Sequence, residues 1–272
     1  MSDSDPKIIF LHIPKTAGQS VHAALVNAYG QEAVCPARVN DQLRKLSIRE
    51  LNQYKVFSGH LDWSMLDCIE GPKFVFTILR EPMDRILSFY FFLRDQAEGL
   101  APEVRSQPQH QGMKAAFEAT PREYFLGGTP HLRRFLDDHY DNFYTYFFAG
   151  RHYASRGEMV GLTNRGELPQ ERVLELAKDN MARLDGVYTV DAMADVFAMI
   201  RRLSGKDIMS DEKYRVNVNT KVAADQRLEK LKSLGADAPT MQRLADYCRL
   251  DDQLWAQYAR GAEPAPALGA VA

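Results

Sequence analysis

Three short runs of apolar residues in the first third of the chain have the pattern of buried strands. KIIFLHI (7–13) is apolar almost throughout and stops at Pro14, and both YKVFSGH (54–60) and KFVFTILR (73–80) repeat the pattern. A continuous apolar run rich in β-branched and aromatic residues is typical of a strand that is covered on both faces of a parallel sheet. The sequence therefore predicts three strands of a mostly parallel sheet.

Helical patterns alternate with these runs. In the segment that Gly18 opens, Val21, Leu25 and Val26 fall on one face of a helix that ends at Tyr29. Pro82 suits the first turn of a second helix, which has its own apolar stripe. Further along the chain the pattern predicts helices over 169–184, 192–205 and 239–259, and a short strand over 187–190. This alternation predicts an α/β fold in which helices flank a mostly parallel central sheet.

Composition narrows the classes of function. The 272 residues are 45% hydrophobic and 26% charged and carry a formal net charge of −2, so the overall basic field of many nucleic-acid-binding proteins is absent. No segment has the length of a membrane span. Cys35, Cys68 and Cys248 lie far apart without C-x-x-C spacing, which predicts structural thiols rather than disulfides or a zinc site. We expect a soluble cytoplasmic protein that binds no nucleic acid.

The stretch FLHIPKTAGQS places Lys15 and small polar residues where a strand gives way to a helix. Free backbone N–H groups and the helix dipole allow such corners to bind phosphate-like anions. Lys15 adds a full charge, and Thr16, Gln19 and Ser20 add donors. The common phosphate loop, G-x-x-x-x-G-K-[ST], has its lysine late, beside a hydroxyl for Mg²⁺. Here Lys15 precedes the lone Gly18, so the loop favours a compact anion without a metal site.

Two segments of the chain together resemble sulfotransferases that use PAPS (3′-phosphoadenosine 5′-phosphosulfate). HIPKTAGQS is similar to the 5′-phosphosulfate loop H-I-P-K-T-A-G-x-[ST] of the family containing heparan sulfate and uronyl 2-O-sulfotransferases. TILREPMDRILSFYFFLRD (77–95) resembles the family's 3′-phosphate motif, T-x-L-R-[ND]-P-x-[ED]-R-x-x-S-x-[YF]-x-[YF], with Arg80 at a strand end and Ser88 eight residues later. Glu81 departs from the usual Asn or Asp. The resemblance implies a P-loop-like three-layer fold and a metal-independent transferase that releases PAP.

Two further segments resemble the family more loosely. VFSGHLDW (56–63) is similar to a segment ending in G-H, whose histidine is proposed as the catalytic base, which points to His60. Ser58 replaces a second histidine that some members carry. DNFYTYFFAG resembles D-N-x-x-T-R-x-L-x-G, but Tyr146 stands where Arg is usual, so this chain lacks any acceptor contact that the Arg would make.

Sulfuryl transfer, like phosphoryl transfer, depends mainly on positioning and on charge stabilisation. Lys15 would face the leaving phosphate, His60 would take the proton of the acceptor hydroxyl, and His12 would support the loop. The implied catalytic residues are Lys15 and His60. The implied donor-binding residues are Lys15, Thr16, Ala17, Gly18, Gln19, Ser20, Arg80 and Ser88. A loop expected to close over the nucleotide, RVNVNTK, offers Arg215, Asn219 and Lys221.

Two alternative functions stay open. A P-loop-like kinase would need Mg²⁺ and an Asp at a strand end, whereas the strand ends carry His60 and Arg80. A non-catalytic module that binds PAP or another nucleotide would need no base. The expected acceptor is a hydroxyl-bearing saccharide or small molecule. We expect one sulfotransferase domain over 1–260, in which the irregular segment 96–150 builds the acceptor site, and a disordered tail over 261–272.

Overall fold

The computed structural model describes residues 5–153, 155–208 and 221–259, and of Ser155 only the backbone. In this part of the chain four parallel strands form one sheet in the order β2-β1-β3-β4. The strands are β1 (Lys7–Leu11), β2 (Val56–Gly59), β3 (Lys73–Leu79) and β4 (Gly186–Thr189). The predicted strands all form, and the first ends at Leu11 rather than at Ile13.

The described residues form fourteen α-helices. The first eight are α1 (Gly18–Tyr29), α2 (Asn40–Leu43), α3 (Ile48–Gln53), α4 (Pro82–Glu98), α5 (Pro102–Arg105), α6 (Gln111–Glu118), α7 (Pro121–Leu126) and α8 (Pro130–His139). The others are α9 (Phe143–Gly150), α10 (Ser155–Asn164), α11 (Gln170–Met181), α12 (Met193–Ser204), α13 (Arg227–Ser233) and α14 (Ala238–Trp255). Each helix predicted from the apolar pattern is present, with bounds that differ by a few residues at most.

Alternate residues of β1 point to opposite faces of the sheet and give the protein three layers. Ile8 and Phe10 pack against α1 and α12 on one face. Ile9 and Leu11 pack against α9 and α11 on the other. The helices on both faces confirm the predicted α/β fold with a parallel central sheet.

The middle of the chain builds a second region of packing around α4. Helices α6, α7 and α8 bury apolar side chains against α4, together with α13 and α14 from the end of the chain. The short helices and loops predicted between 96 and 150 are therefore present, while the role of this segment in an acceptor site stays a prediction, as does the single domain. The expected tail and residues 215–220 lie outside the described residues. The three cysteines are free thiols.

Candidate functional site

The carboxyl ends of the three early strands bring the predicted site residues to one edge of the sheet. Leu11 is in register with Gly59 on one side and with Thr77 on the other. The Thr77 hydroxyl donates a hydrogen bond to the Leu11 carbonyl across 2.8 Å. His60 directly follows β2 and Arg80 directly follows β3, so both lie beside the loop that leaves β1. Ligands of open α/β sheets bind at this edge.

The loop after β1 has a tightly wound backbone. Lys15 and Ala17 both have positive φ, at 73° and 62°, a conformation that non-glycine residues seldom adopt. The Thr16 hydroxyl is buried and donates to the Ile13 carbonyl across 2.9 Å. This bond closes the turn, so Thr16 can serve an anion through its backbone N–H but not through the hydroxyl proton that it gives to Ile13.

The first turn of α1 has the backbone geometry of an anion-binding site. Its N-cap, Ala17, provides no capping hydrogen bond from its side chain. The N–H groups of the next three residues, Gly18, Gln19 and Ser20, precede the first helical hydrogen bond. Positive-φ residues just before them form the kind of backbone concavity that binds anions. The predicted anion loop therefore has suitable geometry, and its contact with a donor stays a prediction.

Gly18 lies against the ring of His12. A Cβ atom built at Gly18 would lie 1.8 Å from the Nε2 atom of His12, so any larger residue would displace the ring or the helix. His12 is 7% exposed, and burial holds its pKa well below the usual value. A neutral, buried His12 agrees with its predicted role as a support of the loop.

Lys15 extends from the loop towards α4. Its Nζ atom lies 4.0 Å from the centre of the Phe92 ring, a cation–π contact. Burial, followed by repulsion from Arg80 and Arg227, lowers the pKa of Lys15 to about 8. The loop lysine and the arginine after β3 are therefore close enough to repel each other, and contact of one donor with both corners stays a prediction.

Arg80 belongs to a cluster with Asp84 and Arg227. One oxygen of the Asp84 carboxylate lies 3.2 Å from Arg80, and the other lies 2.5 Å from Arg227. The Arg227 side chain is only 7% exposed. Lys15 experiences the charge of both arginines, so three cations lie near one another, two of them paired with the Asp84 carboxylate. A phosphate dianion is the chemical partner that such an arrangement would favour.

The start of α4 explains why Glu81 can stand where the motif has Asn or Asp. The Glu81 carboxylate accepts hydrogen bonds from the N–H groups of Met83 and Asp84, and Pro82 occupies the first turn. Glu81 thus caps the helix, the task that Asn or Asp performs in other sequences. Ser88 lies two turns further along α4 and is 3% exposed, and its contact with a 3′-phosphate stays a prediction.

His60 is held in the form that a general base requires. Its Nδ1 atom lies 2.8 Å from the backbone oxygen of His12, and because a carbonyl can only accept, Nδ1 carries the proton and Nε2 is left with a lone pair. The two imidazole rings stack with their centres 4.3 Å apart. Burial, partly offset by the His12 carbonyl, lowers the pKa of His60. His60 is therefore neutral at pH 7 and able to accept a proton.

Several residues of the site lie outside the predicted set. Arg227 and Tyr153 come from distant segments without a local motif, and Tyr153 donates to the His12 carbonyl across 2.7 Å. Lys221 bonds Glu98 on the surface at the end of α4, whereas Arg215 and Asn219 lie outside the described residues. Tyr146, which stands where the resemblance expects an arginine, is 1% exposed and packs against α10 and α11.

The described residues contain no group of His, Cys, Asp or Glu side chains arranged to hold a metal ion. Within the same part of the chain, no helix combines the length and the apolar character needed to cross a membrane.

The fold and the site define an α/β protein with a tight corner after β1, whose geometry suits an anion, and an arginine cluster after β3. Comparison with known families assigns it more closely. Residues 1–158, more than half of the chain, match the model of the sulfotransferase family. The chain therefore belongs to the sulfotransferase family. Comparison with curated proteins gives no match.

Proposed function

We propose that this protein transfers the sulfuryl group of PAPS to a hydroxyl of an acceptor, by in-line displacement. Membership of the sulfotransferase family supports transferase activity in general. The observation that carries the specific proposal is the meeting of three features at one sheet edge: the Lys15 loop, the Arg80 cluster and the base-competent His60. Each feature supplies one requirement of the reaction.

The donor has two anionic ends, and the site offers two matching groups. The first turn of α1 and Lys15 suit the 5′-phosphosulfate. Arg80, with Arg227 behind the shared Asp84 carboxylate, suits the 3′-phosphate. Recognition of that second phosphate would distinguish PAPS from nucleotides that lack it, because a guanidinium can bind phosphate through two parallel hydrogen bonds.

The reaction then follows from the placed groups. The Nε2 atom of His60 removes the proton of the acceptor hydroxyl while the oxygen of that hydroxyl forms a bond to sulfur. The bond between sulfur and the bridging oxygen of the donor breaks, and PAP leaves with that electron pair. Lys15 and the loop N–H groups stabilise the charge that develops on the leaving phosphate. The acceptor is a hydroxyl-bearing compound, a saccharide or a small molecule.

Transfer of radiolabelled sulfate from PAPS into a panel of sugar and small-molecule acceptors, with EDTA present, tests the proposal. We expect transfer that EDTA does not abolish, and its loss in Lys15→Ala and in His60→Ala. Lys45→Ala, which removes an exposed lysine outside the site, serves as the control. A protein that binds PAP but transfers no sulfate to any acceptor would favour the non-catalytic module. Phosphate transfer from ATP that EDTA abolishes would favour the kinase.

A further inference from the structure

The carbonyl of His12 accepts two hydrogen bonds from different parts of the chain. The Nδ1–H of His60 donates across 2.8 Å and the hydroxyl of Tyr153 donates across 2.7 Å. The Tyr153 oxygen also lies 3.5 Å from the Nδ1 atom of His60. Because a carbonyl oxygen has two lone pairs, these two donors satisfy it fully, and the histidine and the tyrosine are fixed relative to each other.

Tyr153 is itself held from behind. Its backbone N–H donates across 2.7 Å to Asp62, whose carboxylate is fully buried. The tyrosine ring packs on Phe147 with the ring centres 4.6 Å apart, and its edge meets His60 with the centres 6.1 Å apart. Burial raises the pKa of Tyr153 well above its usual value, so the hydroxyl keeps its proton and remains a donor. Tyr153 is therefore held in place between the buried Asp62 carboxylate and the His12 carbonyl.

We propose that Tyr153 is a positioning residue for the base, because its hydroxyl holds the His12 carbonyl in the orientation that keeps the proton of His60 on Nδ1 and leaves Nε2 free. The inference rests on the proposed function, in which His60 accepts the proton of the acceptor hydroxyl. Tyr153 touches neither donor nor acceptor in this role and acts only through His12 and His60. In this role, Tyr153 would connect the segment after α9 with the proton transfer at the end of β2.

The same contacts govern the titration of His60. The titratable and charged groups that face it are His12 after β1, Arg38 before α2, Arg156 on α10, and Tyr153. Both arginines and burial lower the pKa of His60, and the His12 carbonyl raises it. Tyr153 shares that carbonyl, which weakens it as an acceptor for a protonated His60. Loss of the Tyr153 hydroxyl would let the carbonyl turn away from Nδ1 and would admit water beside the ring. Because burial is the largest cause of the lowered pKa, that water would raise the pKa of His60.

The test replaces Tyr153 with Phe, which removes one oxygen atom and keeps the ring. We expect kcat to fall about tenfold, the effect of one hydrogen bond, while the affinity for PAP changes less than about twofold. The acid limb of the kcat/KM profile for the acceptor should move to higher pH. Nitrogen-15 shifts of the His60 ring should show a smaller share of the Nδ1–H tautomer. Tyr54→Phe, at the opposite edge of the sheet, serves as the control.

A second variant has the opposite expected sign. With 3-fluorotyrosine at position 153 the hydroxyl is a stronger donor in a ring of almost the same shape. The acid limb should then move to lower pH and the Nδ1–H tautomer should persist. Because this variant retains the hydroxyl, its folding does not suffer from the loss of that group. The inference therefore stays testable if Tyr153→Phe unfolds.

The outcomes separate the inference from the proposed function. If His60→Ala abolishes transfer while Tyr153→Phe keeps the wild-type kcat, acid limb and tautomer, the inference fails and the function stands. A fall in kcat without a change in the acid limb or the tautomer would mean a purely structural role and would also overturn the inference. If His60→Ala retains full transfer, the proposed function itself loses its base.

Discussion

The lowered pKa of Lys15 leads to a prediction about donor binding in mildly alkaline solution. Burial and the repulsion of Arg80 and Arg227 lower this pKa to about 8. Above that pH the free protein loses the Lys15 charge, whereas the phosphates of PAP are already ionised, since their second pKa is about 6. The pKa values of His12 and His60 are lowered, so both rings are neutral throughout this range. Lys15 is therefore the group that should control binding between pH 7 and 9.

The size of the effect follows from the protonated fraction of Lys15. With a pKa of about 8, about nine-tenths of the free protein carries the charge at pH 7 and about one-tenth at pH 9. The apparent Kd is the intrinsic Kd divided by the competent fraction. The Kd for PAP should therefore rise about tenfold between these pH values, which is about 1.4 kcal/mol. Because a bound dianion favours protonated Lys15, binding at about pH 8, the middle of the transition, should take up protons.

Isothermal titration calorimetry with PAP measures both quantities, the Kd at each pH and the proton uptake from buffers of different ionisation enthalpy. Lys15→Arg is the matched control, because a guanidinium stays charged through this range; its Kd should not follow the wild-type rise. A wild-type Kd that is constant from pH 7 to pH 9 would refute the reasoning, as would an equal rise in Lys15→Arg.

Two further predictions concern the donor site. Gly18→Ala places a Cβ on the His12 ring, so we expect the free energy of unfolding, measured by denaturant titration, to fall by about 1–3 kcal/mol, and PAP binding, measured by calorimetry, to weaken. Gly99→Ala, where the nearest atom lies at 3.6 Å, is the control, and equal stability of the two variants would contradict the packing argument. Arg80→Ala should raise the Kd for PAP by about 10- to 100-fold, the value of a charged hydrogen bond, and leave the Kd for AMP unchanged; equal losses for the two nucleotides would remove Arg80 from the 3′-phosphate site.

Much of the fold could be predicted because its signals are local. The strand before Pro14 is an unbroken apolar run, and the helix that Gly18 opens ends at Tyr29 as its apolar face predicts. Once the strands are parallel, their carboxyl ends must share an edge. The closeness of Lys15, His60 and Arg80 could therefore be expected from the order of the elements alone.

The remaining parts of the site depend on contacts between distant segments. Arg227 reaches Asp84 across 143 residues, and Tyr153 reaches His12 across 141. Neither residue lies in a motif or at a strand end, so only the packing of α13 and of the turn after α9 brings it to the site. Local patterns also could not show that the Thr16 hydroxyl is already bonded to the loop's own backbone.

His12 connects the two halves of the proposed chemistry. Its ring packs against Gly18 in the first turn of α1, and its carbonyl holds the Nδ1–H of His60. A displacement of the ring would also disturb His60, because the two imidazole rings stack with their centres 4.3 Å apart. A substitution in the donor loop that moves the His12 ring would therefore disturb the base even where donor binding is kept. For such variants, a fall in kcat with an unchanged donor Kd is not evidence that the substituted residue itself takes part in the chemical step.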